Sequence, residues 1–151
     1  MAEKREAFTL VEAIIVLVFV GILAVIAVPR LNFANISRHK ADTTARKIVT
    51  DLRRTRRLAI SDAANNTAGF SLNILGATPY GYEIKNLDGG ATLDSHTLDS
   101  EVSCAGGTKF EFSPLGSLKA GSDTQLTVSS GGKTFTITII SATGAIKCVE
   151  N

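Results

Sequence analysis

The chain opens with a continuous apolar stretch that contains one carboxylate. Phe8 to Val28 is 21 residues long, and only Thr9 and Glu12 within it are polar. At about 1.5 Å per residue, a helix of that length is about 31 Å long, which matches the hydrocarbon core of a bilayer. An ionised carboxylate at that depth costs about 2–3 kcal/mol unless it meets a cation. The pattern therefore predicts a membrane-spanning helix in which Glu12 has a charged partner.

A second, amphipathic helical pattern follows the apolar one. Ala45, Ile48, Leu52 and Ala59 fall near one face at the 3.6-residue period, and the opposite face is charged. Between the two patterns stands Pro29, which predicts a kink because proline removes a backbone donor and collides with the carbonyl four residues earlier. We therefore expect one long helix, with residues 8–31 as its membrane half and residues 32–65 as its amphipathic half.

Beyond residue 65 the pattern changes to short runs broken by glycine. The predicted strands are Phe70 to Leu75, Tyr80 to Lys85, Thr108 to Ser113, Thr124 to Ser130, Lys133 to Ser141 and Ala145 to Val149. Gly131 and Gly132 suit a hairpin turn between two of them. These elements predict an α+β fold in which a long N-terminal helix packs on an antiparallel β-sheet head, residues 66–151.

Charge is distributed unevenly along the 151 residues, whose net charge is +2. Residues 30–65 carry nine Lys and Arg against three Asp, whereas residues 66–151 carry five Lys against eight acids. The usual excess of basic residues on one flank of a membrane span is not seen. The stem is therefore basic and the head mildly acidic, and charge alone does not orient the chain.

The opening motif, Phe8 to Glu12 with sequence FTLVE, resembles the start of the type IV filament subunits, the pilins and pseudopilins. The resemblance implies that residues 1–7 are a prepilin leader, that prepilin peptidase cuts after Ala7, and that the new N-terminal Phe8 is methylated. It also implies that Glu12 directs assembly by meeting the N-terminal amine of a neighbouring subunit, and that Pro29 kinks the helix. Ala7 departs from the glycine usual in the family at the position before the cut.

Later motifs narrow the resemblance to the H-type minor pseudopilins of type II secretion and the FimT-like minor pilins. They are Asp51-Leu52-Arg53, Phe112 to Gly116 and Ser141 to Ile146. The resemblance implies a filament subunit that crosses the bacterial inner membrane once, with its head in the periplasm, before it enters a pseudopilus for protein transport or a type IV pilus. Its expected partners are other pilin or pseudopilin subunits.

Two cysteines, Cys104 and Cys148, both lie in the head. An even number in a compact exported region predicts one disulfide, and a pair of free thiols is the alternative. No His, Cys or acidic spacing typical of a metal site occurs, and Ser103-Cys104 has no histidine nearby. We therefore predict no enzyme activity, no cofactor, no metal and no small-molecule substrate.

An arginine cluster late in the stem supports a different function. Arg53, Arg54, Arg56 and Arg57 could grip nucleic-acid phosphates, and some FimT-like minor pilins are associated with DNA uptake. No aromatic residues are interleaved with them to stack on bases. A solvated helix face that pairs with acids of neighbouring subunits is therefore the favoured interpretation, and DNA binding is the alternative.

Overall fold

The computed structural model describes residues 10–27, 33–76 and 80–151 of the chain, which divides into two compact units, residues 1–33 and 34–151. In the first unit, helix α1 (Leu10–Ala27) follows from the apolar pattern. Its side chains from Leu10 to Val25 are exposed. Within the described residues, none of the helices is both long enough and apolar enough to cross a membrane. The predicted span extends past α1 at both ends, and the predicted kink at Pro29 lies outside the described residues.

Helix α2 (Phe33–Ser61) carries the amphipathic pattern. It ends four residues before the predicted position, in a turn where the amide of Asn66 donates to the carbonyl of Asp62 at 2.8 Å. Asn66 is buried, and its side chain accepts the amide hydrogen of Gly69 and donates to the carbonyl of the same residue. Gly69 itself has a φ of 85°, and a Cβ there would collide with the carbonyl oxygen of Phe112. This turn leads the chain from the helix into the first strand.

Eight strands form two antiparallel four-stranded sheets. In chain order they are β1 (Phe70–Leu75), β2 (Gly81–Asn86), β3 (Thr92–Thr97), β4 (Ser103–Gly106), β5 (Lys109–Phe112), β6 (Gln125–Ser130), β7 (Lys133–Ile140) and β8 (Ala145–Glu150). The first sheet has the order β3-β2-β1-β5, and the second has the order β4-β6-β7-β8. Strands β3, β5, β4 and β8 are therefore the edges.

The predicted α+β class is confirmed, and the predicted helix face is the one that is buried. Ala45, Ile48, Leu52 and Ala59 are each at most 1% exposed, and they pack in one core with residues from both sheets. Among the residues that the structure describes, the core therefore lies between α2 and the strands, within residues 34–151.

The strand predictions were incomplete in one respect, because the head has two sheets and two additional strands. Strands β3 and β4 are not among the strands predicted from the sequence. Both are edge strands, and most of their residues are exposed, so neither shows the alternation of buried and exposed side chains that marks a half-buried strand. The six predicted strands are present with ends that differ by at most one residue.

The predicted Cys104–Cys148 disulfide is corrected by the structure, in which both cysteines are free. Cys104 lies in β4 and Cys148 in β8, the two opposite edges of the second sheet. Three strand spacings of about 4.8 Å separate these edges by about 14 Å, whereas the Cα atoms of a disulfide lie within about 7 Å. The even cysteine count was a weak guide because it carries no information about sheet order.

Candidate functional site

Helix α2 has two polar flanks on either side of its buried face. One flank, here called the sheet flank, contacts β3 and the loop after it; its members are Lys40, Lys47, Asp51 and Arg54. The other, here called the groove flank, borders open space beside β7 and β8; its members are Asp42, Arg46, Arg53 and Arg57. The helical period places each set on its own side because residues three, four, seven and eleven apart share a face.

Ion pairs on the sheet flank join α2 to the head. Lys40 Nζ lies 2.9 Å from Asp99 and 3.0 Å from Glu101, and Arg54 lies 2.7 Å from Asp94. The Lys40 ammonium lowers the pKa of Glu101, and the Arg54 guanidinium lowers the pKa of Asp94. These pairs are partly solvent-exposed, so they fix the position of the helix on the head more than they stabilise the fold.

A polar cluster centred on the buried side chains of Asp51 and Tyr82 lies beside these ion pairs. The Tyr82 hydroxyl donates to the Asp51 carboxylate at 2.5 Å, and His96 Nε2 lies 3.7 Å from the same carboxylate. On the other side of the imidazole ring, Lys47 Nζ lies 3.3 Å from Nδ1. Tyr82 is fully buried, and its burial raises its pKa above the usual range. Sequence patterns do not reveal this cluster, because Tyr82 and His96 are 31 and 45 residues from Asp51.

On the opposite side of α2, three adjoining cavities form a groove between the helix and strands β7 and β8. Their volumes are about 510, 490 and 340 Å³. The groove is lined by Arg38, His39, Asp42, Arg46, Val49, Thr50, Arg53, Arg56, Arg57, Lys133, Phe135, Gly144, Ile146, Cys148 and Glu150. Six basic side chains face two carboxylates there, which gives the groove a net charge of +4 when His39 is neutral.

The four arginines of the predicted cluster have separate positions and contacts. Arg54 pairs with Asp94 on the sheet flank, and Arg56 donates from Nε to the carbonyl of Gly116 at 3.0 Å. Arg53 and Arg57 are exposed and line the groove, and within the described residues neither has a hydrogen bond or ion pair. Three of the four therefore border the groove, but Arg56 is held by its contact in the head and Arg54 lies on the sheet flank, which leaves Arg53 and Arg57 as the accessible pair.

Other predicted site residues lie at or beyond the edge of the described chain. Ala7, Phe8 and Pro29 fall outside the described residues, and Glu12 lies in the first turn of α1. The described residues contain no cluster of three or more His, Cys, Asp or Glu side chains that could hold a metal ion. Burial raises the pKa of both thiols, which favours their neutral and less nucleophilic form.

Comparison with known proteins gives one informative similarity. No model of a known protein family and no curated protein matches the sequence. Among solved structures, the crystal structure of the type IV minor pilin FimU from Pseudomonas aeruginosa matches with a TM-score of 0.60 and 19% sequence identity, over 74% of this chain and 90% of that chain. The chain has a type IV pilin-like fold.

Proposed function

We propose that the chain is a minor subunit of a type IV pilus or of a type II secretion pseudopilus. It is made as a prepilin, cut by prepilin peptidase between Ala7 and Phe8, and methylated at the new amino terminus. The observation that carries the proposal is the pilin-like fold directly after the motif of Phe8 to Glu12.

In this proposal, residues 8–31 anchor the subunit in the inner membrane, with its head in the periplasm, and pack in the filament core after assembly. The exposed apolar side chains of α1 support such packing, since a soluble surface rarely carries so many large apolar residues together. Gly21 and Ala24 add small residues where neighbouring helices could approach closely. Glu12 then meets the methylated amine of a neighbouring subunit, where a dry environment strengthens the attraction.

Mass spectrometry of protein extracted from membranes tests the processing step. We expect an intact mass that begins at Phe8 and includes one methyl group. A protein that retains Met1, or one that is cut beyond residue 28, would refute the proposed maturation. The measurement also tests whether Ala7 is accepted before the cut.

The assembly role of Glu12 is tested by Glu12→Ala. The variant should remain in the membrane but be missing from filaments, because an apolar residue inserts easily and cannot hold the neighbour's amine. Glu6→Ala is the matched control, since it removes a carboxylate from the predicted leader and should leave incorporation unchanged. Normal amounts of Glu12→Ala in purified filaments would contradict the role.

DNA uptake through the stem arginines is the alternative function, and one observation favours it. Arg53 and Arg57 are exposed side by side on the groove flank. If they grip phosphates, duplex DNA should bind with an affinity that falls steeply with salt, and changing both to Gln should flatten that dependence. Structural assembly is the stronger proposal, because Arg54 and Arg56 already have partners in the head.

A further inference from the structure

The outer edge of β8 carries unused backbone hydrogen-bonding groups. The amide of Asn151 donates to the carbonyl of Thr134 on β7 at 2.9 Å. Inward and outward backbone groups alternate along a strand, so the N–H and C=O of Ile146, Cys148 and Glu150 point away from β7. No strand of the described residues pairs with that edge, because β8 is the last strand of its sheet.

The same three residues face the groove. Ile146, Cys148 and Glu150 lie opposite Ile139, Ile137 and Phe135 of β7, which are all buried against the core. Residues directly opposite in an antiparallel pair share a face of the sheet. The residues whose N–H and C=O groups point away from β7 therefore also line the groove with their side chains, across from the groove flank of α2.

We propose that the groove receives an extended acidic segment of a neighbouring filament subunit, which adds as a strand to β8 and places its carboxylates against Arg53 and Arg57. This inference rests on the proposed function, because it assigns a partner and a binding mode to the assembly surface. Strand addition takes its affinity from backbone hydrogen bonds and its specificity from alternate side chains. With six residues, β8 is long enough to pair with a short segment of that kind.

The charge of the groove selects an acidic occupant. The six basic side chains exceed the two carboxylates, and the carboxylates are already engaged: Asp42 pairs with Arg46 at 2.8 Å and Glu150 with Lys133 at 2.6 Å. Arg53 and Arg57 remain available one helical turn apart. Alternate residues of an incoming strand are about 7 Å apart, a spacing that lets two successive carboxylates reach these two guanidinium groups.

The walls of the groove favour a peptide over a nucleic acid. Val49, Phe135 and Cys148 give one stretch of the lining an apolar character that suits alternate side chains of a strand. Backbone pairing to β8 also has no counterpart in a duplex.

Hydrogen exchange with a defined probe tests the binding mode. The probe is a nine-residue peptide that alternates glutamate with valine, added to the full-length protein in detergent, and a peptide with lysine for glutamate is its control. We expect slower exchange of the amides of Ile146, Cys148 and Glu150, and no change at Lys147 or Val149, whose amides already bond to β7. Equal protection by both peptides, or protection elsewhere only, would overturn the proposal.

Two matched pairs of variants separate its electrostatic and backbone components. Arg53→Glu should weaken peptide binding by about fivefold or more. Lys147→Glu, on the face of β8 that points away from the groove, should change it less than twofold. Cys148→Pro should abolish binding, since it removes an outward amide that an edge strand can spare, while Cys148→Ser should bind normally. Circular dichroism checks that each variant is folded. If Cys148→Pro is unfolded, a peptide that is N-methylated at alternate residues is used in its place. Such a peptide cannot donate the backbone hydrogen bonds to β8, so its binding should be abolished.

Filament assays keep this inference distinct from the proposed function. If the wild-type protein enters filaments but the acidic peptide does not protect β8, the strand-addition proposal fails and the proposed function stands. If the protein is absent from filaments, both fail. Salt-sensitive binding of a duplex DNA in the groove that excludes the peptide would overturn the peptide proposal in favour of a nucleic-acid site.

Discussion

Replacing Tyr82 by phenylalanine tests the buried polar cluster under α2. Tyr82 is fully buried, and its hydroxyl donates to Asp51 at 2.5 Å, so Tyr82→Phe leaves a nearly buried carboxylate without its strongest donor. A hydrogen bond to a charged group contributes about 1.5–3 kcal/mol, and the packing of the ring is unchanged. We therefore expect Tyr82→Phe to lower the free energy of unfolding by about 2 kcal/mol.

Urea unfolding of residues 34–151, followed by far-UV circular dichroism, measures this loss, because that unit contains the whole described core. In a heat denaturation, a loss of about 2 kcal/mol corresponds to a fall in Tm of about 8 °C. Tyr80→Phe is the matched control. The Tyr80 hydroxyl accepts the amide hydrogen of Cys104 at 2.6 Å and is only partly buried, so its loss should cost about 0.5–1.5 kcal/mol.

A double-mutant cycle with Asp51→Ala shows whether the effect comes from the hydrogen bond. If the bond accounts for the loss, Tyr82→Phe should cost much less in the Asp51→Ala background than in the wild type. A cost below about 0.5 kcal/mol in the wild type, or the same cost in both backgrounds, would refute the reasoning.

Three further predictions follow from the head. Gly69→Ala should lower the free energy of unfolding of the head by at least about 2 kcal/mol, because the left-handed φ of 85° disfavours a Cβ. Gly89→Ala is the control: a Cβ there meets open space, so the free energy of unfolding should change by no more than about 0.5 kcal/mol. Equal losses for the two variants would contradict this prediction. Denatured but unreduced protein should react at both Cys104 and Cys148 with a maleimide, and a single bridged mass would refute the free thiols. The Arg54 guanidinium lowers the pKa of Asp94 in the folded protein. The stability that this ion pair adds is therefore complete above the ordinary aspartate pKa of about 3.9 and should decline as the pH falls through the lower pKa of the folded state. Urea unfolding midpoints measured at several pH values will detect the decline.

Local patterns predicted the parts of this fold that are fixed by nearby residues. The buried face of α2 follows from a 3.6-residue period, and strands such as β1 and β7 follow from apolar positions that alternate within six to eight residues. Strands β3 and β4 carry little buried surface, so nothing in their sequence distinguishes them from loops. Their existence depends on the neighbours with which they pair.

Long-range contacts account for the rest of what the sequence did not predict. Asp51 meets Tyr82 and His96 across 31 and 45 positions of the chain, and the groove requires β8 to lie at a sheet edge beside α2. Cysteine parity was misleading for the same reason, since whether two thiols can bond depends on strand order. Both the site and the absence of a disulfide in the described head therefore depend on strand order and packing, which cannot be deduced from composition or from the spacing of residues along the chain.

Helix geometry explains why the arginine cluster does not behave as one patch. Successive residues on a helix are 100° apart, so Arg53 and Arg54 point in different directions, whereas Arg53 and Arg57 are only about 40° apart. Arg54 accordingly reaches Asp94 on the sheet flank, and Arg56 reaches the carbonyl of Gly116. The charge of the stem is thus divided between holding α2 on the head and lining the groove. Substituting all four arginines together would confound folding with binding, and changing Arg53 and Arg57 alone isolates the accessible surface.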